Sequence, residues 1–442
     1  MRTTRLSKIA ALRRTLSVPL VALALAAVAA GSGHAAGTGV TTTVYGPSST
    51  SSTSAAAQQA CAEPPAGEFQ CLAEFIPGAA PNSASTRAGA SPDTAPPTGY
   101  SPAQLQDAYK LTQAVDAGRG TGETVALVDA YDDPTAESDL AVYRSTFGLP
   151  ACTTADGCFT KEGQTGSTTA LPPVDGDWAV EISLDLDMVS AACPDCRILL
   201  VEADQPSLAD LAAAEDQAAA TPGVVAISNS WSGAENQEDY QYSAAFDHPG
   251  IAITASSGDS GYQLAAGFPG TLTTVISVGG TELVPAPGTA RGWTETAWNT
   301  VTVDGDATGS WCSAWVARPS WQHDPICSGR SSADVAADAD PGTGPSVYDS
   351  TPYNGTTYDW LRVGGTSASS PFIAGVYALA GDTSRIDDAS GLYARDHQAD
   401  LYPVTSGDNI TKDTCGESLI CTAGPGFNAV TGNGTPDGIG AF

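Results

Sequence analysis

Residues 364–371 read Gly364-Gly365-Thr366-Ser367-Ala368-Ser369-Ser370-Pro371, and Phe372, Ile373, Val376, Tyr377 and Leu379 follow at helical spacing. Two glycines let backbone come close to a ligand. Ser367 then stands at the opening of a helix, where unpaired N–H groups favour developing negative charge. A nucleophilic serine gains from that placement, although a Ser-rich helix cap with a proline in its first turn reads the same residues structurally. Upstream, apolar runs at Thr124–Val128, Arg197–Val201, Val224–Ile227, Ile251–Ala255 and Val275–Val278 alternate with helical stretches such as Thr135–Phe147 and Ser207–Ala220. Strands apolar on both faces belong to a mostly parallel sheet covered by helices on each side, a doubly wound α/β order. Such sheets carry their chemistry on loops at the carboxyl ends of the strands.

Two other places offer reactive groups. In Trp178–Met188, alternating apolar residues at Ile182, Leu184, Leu186 and Met188 argue strand, whereas Glu181, Asp185 and Met188 fit one helix face. Either period puts Glu181 and Asp185 on one side. A helix separates them by about 5–6 Å, a strand by about 13 Å, so only the helix couples them; a solvated acidic face is the plain alternative. The other place, Ala255-Ser-Ser-Gly258-Asp259-Ser260-Gly261-Tyr262, ends an apolar run, where Asp259 is also a natural turn residue. Its Gly-Asp-Ser-Gly is not a trypsin-like serine loop, which needs a histidine early in the chain, and none lies between His34 and His248. Nor is it an aspartic-protease half-site, because a second such motif is absent.

Composition narrows the function classes. Of 442 residues, 49 are acidic and 18 basic, a net charge of -31 that repels phosphate backbones and excludes a nucleic-acid partner. Such a surface loses its self-repulsion when carboxylates protonate, which suits an acidic milieu. The 42% apolar content supports a sizeable core. Residues 1–36 read as an export signal, with Arg2, Arg5, Lys8, Arg13 and Arg14 before the apolar run Val18–Ala30 and small residues around Ala35 and Ala36. The expected mature protein is secreted, monomeric and without a membrane span. Residues 37–98 have linker composition, and the main domain, 99–442, opens at Tyr100-Ser101-Pro102, where Ser and Pro suit an N-cap and first helical position. The ten cysteines fall into close pairs, Cys61/Cys71, Cys152/Cys158, Cys193/Cys196, Cys312/Cys327 and Cys415/Cys421, read as five local disulfides of an oxidising compartment. Of His248, His323 and His397 only His323 lies near a cysteine, too few ligands for zinc. Cys193-Pro194-Asp195-Cys196 has redox-motif spacing without the short domain that would use it.

Glu181, Asp185, Asp259 and Ser367, in that order on a parallel α/β frame, resemble the sedolisin family of serine-carboxyl peptidases, relatives of the subtilisins. Asn229-Ser230-Trp231, the Asp334–Pro341 segment and the tail from Val404 through Pro436 and Gly438 share the likeness, which spans roughly Tyr100–Phe442. The resemblance implies a subtilisin-like, mostly parallel sheet of about seven strands flanked by helices. It also implies a secreted acid endopeptidase of protein or peptide substrates: Ser367 the nucleophile, Glu181 its base and acid, Asp185 orienting Glu181, Asp259 serving the oxyanion as a neutral carboxyl, and Ser230 and Trp231 at a strand end that pairs with substrate backbone. A glutamate in place of an imidazole moves the working range down, from an ordinary pKa of about 6.5 to about 4.3. The family calcium site has Pro403 and Asn428 at its two Asp positions, with Asp400 and Asp408 nearby as substitutes, so calcium is not expected to bind well and no other cofactor is implied. The family's folded inhibitory prodomain also has no evident counterpart in residues 37–98. These two departures leave a second class open: a catalytically idle, exported binding or wall-associated protein. A histidine-dependent subtilisin-type enzyme would require His248 or His323 beside Ser367.

Overall fold

Thr124–Ala130 is buried along its whole length, as a strand must be when helices cover both its faces. The computed structural model describes residues 56–65, 67–77, 99–323, 326–381, 383, 386–394, 397–411, 415 and 418–442. The expected export signal and residues 37–55 and 78–98 lie outside them. Among the described residues the main sheet has eight strands, in the order Gly292–Ala297, Ile276–Ala286, Ala252–Ser256, Val224–Asn229, Thr124–Ala130, Arg197–Ala203 and Phe159–Gly163, with Val335–Asp338 also pairing with Ile276–Ala286. The pairings are parallel except for Gly292–Ala297, an antiparallel edge ribbon that draws Ile276–Ala286 out well past the expected Val278. All five expected strands and both expected helices are present, with ends close to those expected apart from that extension.

One strand shows how helices take the two faces. Ser228 Oγ lies 2.9 Å from Ser370 Oγ on the helix Thr366–Ala380, while the next residue, Asn229, faces Glu215 on the helix Leu208–Ala220. Successive side chains of a strand point to opposite faces.

The ambiguous acidic stretch is helix, Gly176–Ala192. The Asp175 side chain accepts from Asp177 N (3.0 Å) and Trp178 N (3.1 Å), satisfying donors that a helix start leaves open. This helix is buried almost all round because it packs on the serine-bearing helix Thr366–Ala380 as well as on the sheet. Gly375 permits that approach, since a Cβ there would lie 2.7 Å from Ala192 Cβ. No helix among the described residues is long and apolar enough to cross a membrane.

The disulfides close in the expected pairs: Cys61–Cys71, Cys152–Cys158, Cys193–Cys196, Cys312–Cys327 and Cys415–Cys421. What close sequence spacing does not anticipate is where Cys158, Cys327 and Cys421 sit. Cys158 immediately precedes the edge strand Phe159–Gly163, and its sulfur lies 3.6 Å from the Cys196 carbonyl oxygen, so two bridges meet at one end of the sheet. Cys327 and Cys421 are buried together with Ile420 and Ala429, and their partners Cys312 and Cys415 pack against the same small apolar cluster. These bridges therefore join segments distant in the chain through packing, although each covalent loop is short.

Residues 56–77 depart from the expected linker. They form strands at Gln58–Gln59, Gln70–Cys71 and Glu74–Pro77, and Ala60, Cys71, Ala73 and Phe75 are fully buried. Composition hides this because the segment supplies few contacts of its own. Beyond the short pairing of Gln58–Gln59 with Glu74 and Phe75, its ladder partners are edges of the main domain, Trp231–Ala234 and Asp359–Gly364.

Candidate active site

Ser367 is the second residue of the helix Thr366–Ala380, which follows the strand Asp359–Gly364 through Gly365, held at a φ of 89°. Pro371 sits in this helix four residues after Ser367 and has no N–H to give the Ser367 carbonyl. Ser230 Oγ lies 3.3 Å from that carbonyl and 2.7 Å from Asp185 Oδ1, its one proton favouring the shorter contact. The Ser230 side chain thus points inward. Trp231 is wholly buried too, its Nε1 donating to Val128 O (2.9 Å), so this pair presents backbone, not side chains, to the cleft.

Ser367 Oγ lies 2.9 Å from Glu181 Oε2 and 3.1 Å from Ser230 O. The same Oε2 accepts from Leu72 N (2.8 Å) and Ala73 N (2.7 Å). Three donors converge on one oxygen, so the proton that Glu181 shares lies on its other side. There Glu181 Oε1 and Asp185 Oδ2 are buried without a partner, one turn apart on the same helix, which leaves them free to share a proton. Burial pushes both well above the ordinary carboxyl range, and the buried charge of Asp129 adds to it. Asp259 Oδ1 accepts from Thr366 N (2.9 Å) and Thr366 Oγ1 (2.6 Å), leaving Oδ2 without a partner. Burial pushes Asp259 up to about 8 against those two bonds, so its neutral form persists through acidic pH. The structure therefore brings Glu181, Asp185, Asp259 and Ser367 to one centre. No imidazole is among Ser367's hydrogen-bond partners, and His248 Nε2 instead meets Ala245 O (3.0 Å).

Two residues of this centre were not singled out in the sequence. Asp129, at the carboxyl end of Thr124–Ala130, is wholly buried with neither oxygen partnered, and burial lifts it to about 7. An acid interrupting Val128 and Ala130 at the end of a buried strand was the available signal. Glu74 is buried and raised, by burial first and then by the neighbouring Asp259; its Oε1 accepts from Gln59 Nε2 (2.8 Å). Glu74, Asp304 and Asp306 bring one oxygen each within 4.8 Å of one another. Burial, then Asp304, raises Asp306 to about 6, so shared protons suffice to hold that trio in acid.

The residues at the family's calcium position do not fit the ion. Asn428 Oδ1 is already taken by Val430 N (3.1 Å), Thr431 N (3.0 Å) and Thr431 Oγ1 (3.1 Å), as a turn cap would be. Pro403 offers no side-chain oxygen, and Asp408 Oδ1 accepts from Asn299 Nδ2 and Ile410 N. Calcium wants six to eight free oxygens.

Residues 169–392 match the Subtilase family. Kumamolisin of Bacillus sp. (strain MN-32) is 30% identical over 385 residues, an alignment that covers 78% of this chain, and the chain spans 63% of kumamolisin's length. Pseudomonas sedolisin, a serine-carboxyl proteinase solved with two molecules of pseudo-iodotyrostatin, has the same fold at a TM-score of 0.63, with 24% identity over 78% of this chain and 96% of that one. The chain belongs to the subtilase family, and its likeness within that family is to the sedolisins.

Proposed function

We propose that this chain is a secreted serine-carboxyl endopeptidase that hydrolyses peptide bonds in acid. One observation carries the reading: a carboxyl oxygen, Glu181 Oε2, stands 2.9 Å from Ser367 Oγ where a subtilisin-type centre needs an imidazole. Ser367 attacks the carbonyl carbon while Glu181 takes its proton and later gives it to the leaving amine. Asp185 shares the proton on the far side of Glu181, and Asp129, itself neutral in acid, opposes loss of that proton only once it ionises as pH rises through about 7. Asp259, neutral, donates from Oδ2 to the oxyanion; as a carboxylate it would repel it. Both requirements set the same direction in pH. The Glu181–Asp185 pair must hold one proton and Asp259 must hold its own, and both are lost as pH rises.

Four carboxyls buried around one serine with oxygens unpaired are costly to fold. A reacting peptide would use them, which favours an enzyme over an idle binding protein. Five disulfides and the signal-like N-terminus support export. The calcium position is proposed to stay without its ion. The test is digestion of a denatured protein at pH 3–5 and at pH 8 by the wild type and Ser367→Ala. Cleavage in acid by the wild type is expected, with a loss of at least about 10³-fold in the variant. Equal cleavage by both would reject Ser367 as nucleophile.

A further inference from the structure

Beside the centre, two segments far apart in the chain bring three carboxyls together. Glu74 opens the strand Glu74–Pro77, two residues past Leu72, whose carbonyl oxygen lies in the cleft against Gly365 on the Asp259 side. Asp304 and Asp306 stand on a loop that closes on itself, with Thr300 N donating to Asp306 O (2.9 Å) and Asp304 N to Thr300 O (3.1 Å). The next residue ties that loop to the centre, Ala307 N donating to Asp259 O (2.8 Å). One oxygen from each of the three acids lies within 4.8 Å of the other two.

Acids crowded this closely call for positive charge between them, and no ion pair among the described residues involves any of the three. Glu74 supplies a second and separate sign of a ligand. Its side chain is 1% exposed, its Oε1 accepts from Gln59 Nε2 (2.8 Å), and its Oε2 is buried with no partner. Proteins seldom seal a polar atom from water without satisfying it. Gln59 also faces Asp306, so the amide lies at the edge of the same cluster. Carboxylate oxygens without nitrogen or sulfur suit a hard divalent ion. Oxygens on opposite sides of calcium stand about 4.6–5.2 Å apart, against about 4.0–4.2 Å for magnesium, so oxygens spread over up to 4.8 Å suit calcium better. Asp304 and Asp306 are half-buried, which gives an ion its way in and room for the waters that complete its six to eight ligands.

We propose that Glu74, Asp304 and Asp306 form a calcium site, distinct from the family's calcium position, that fastens the strand Glu74–Pro77 to the loop beside Asp259. A partly open site of three acids belongs with the extracellular modules that hold calcium with Kd values of about 10⁻⁴–10⁻³ M. Its ion exchanges freely, so it binds when calcium is supplied and a chelator has no tightly held ion to strip.

The experiment is calorimetric titration of the purified full chain at neutral pH and about 0.15 M salt, with calcium chloride or magnesium chloride, beside Glu74→Gln, Asp304→Asn and Asp408→Asn. Thermal unfolding is followed with and without about 10 mM calcium, an excess over the expected Kd. One calcium per chain is expected, with magnesium weaker, and Tm should rise by about 2–5 °C. Glu74→Gln and Asp304→Asn should each weaken binding at least about 10-fold and abolish the rise in Tm, whereas Asp408→Asn, at the family's position, should change neither. Should the buried Glu74→Gln not fold, the half-buried Asp304→Asn decides alone. No binding to the wild type at millimolar calcium overturns the site, as does uptake of several ions that added salt removes, which is the diffuse charge of an acidic surface. One bound calcium that survives both cluster variants, or that is lost in Asp408→Asn, overturns it equally.

Discussion

Asp259 separates two jobs between its two oxygens. Oδ1 is held by Thr366 N and Oγ1, which fixes the carboxyl, and Oδ2 is left toward the carbonyl of the strand in the cleft. With its pKa raised to about 8, the group is protonated below that value and loses its proton above it, so its contribution fades as pH climbs. Asp259→Ala is expected to lower kcat by about 10²–10³. Asp259→Asn keeps an N–H donor that does not titrate, so its kcat/KM should fall off at higher pH than the wild type's. An unchanged alkaline limb in the Asn variant would assign that limb to the Glu181–Asp185 pair. Glu181, Asp185, Asp259 and Ser367 were legible in the sequence because each stands out against its flanks. Asp129 was not, because one acid ending a strand has no spacing signature until another element is packed against it.

At the scale of elements, the centre is a contact between two helices: Gly176–Ala192 brings the acids and Thr366–Ala380 brings the serine. Their separation is set by small residues, Gly375 against Ala192. Gly375→Val inserts three carbons where one already crowds. It should cost about 1–3 kcal/mol in chemical denaturation and lower kcat more than it raises KM, since it moves Ser367 against Glu181 and leaves the cleft strands alone. Normal kcat in a folded variant would show that the helix contact does not set the Ser367–Glu181 distance. The acidic stretch had two periodicities, and only helix packing chose between them: a buried helix shows little amphipathic pattern, so its sequence resembles a buried strand's. The strands of residues 56–77 were illegible for another reason. Gln70–Cys71 and Glu74–Pro77 take their ladders from edges far along the chain, and a segment that borrows its partners needs no pattern of its own. The cysteines divide the same way: spacing named the partners of Cys158, Cys327 and Cys421, but only packing set Cys158 beside Cys196 and buried Cys327 with Cys421.

For the whole molecule, the excess of acid leaves buried carboxyls without cations. Asp334 has Arg330, bonded at 2.9 and 2.5 Å, but Asp129, Asp185, Asp259 and Glu215 have none. Their pKa values are raised, as are those of Glu202 (to about 9) and Asp349 (to about 8), burial being the first cause in each. A carboxyl raised in the folded state binds its proton more tightly there than in the unfolded chain. Its stabilisation is complete below the unfolded value, about 4, and is lost as pH rises through the folded value. Tm should therefore be highest near pH 4 and fall by several degrees or more toward pH 8 or 9, and EDTA should leave it unchanged at every pH. A Tm rising over that window would contradict the burial of neutral acids, and a drop with EDTA would restore a structural metal.

The alternation of apolar strands and helices, the paired cysteines and the placement of the four reactive side chains are local facts, set by periods and neighbours within a few residues, and these determined the α/β fold and the chemistry to look for. Tertiary structure decided what no local pattern encodes: that Glu181 and Ser367, far apart in the chain, share a hydrogen bond, and that Asp129 joins them. It also decided that Leu72 N and Ala73 N reach the same Glu181 oxygen as Ser367 does. Long-range contacts fix burial, and burial fixes protonation, so the state of these acids belongs to the fold and not to the sequence around each of them.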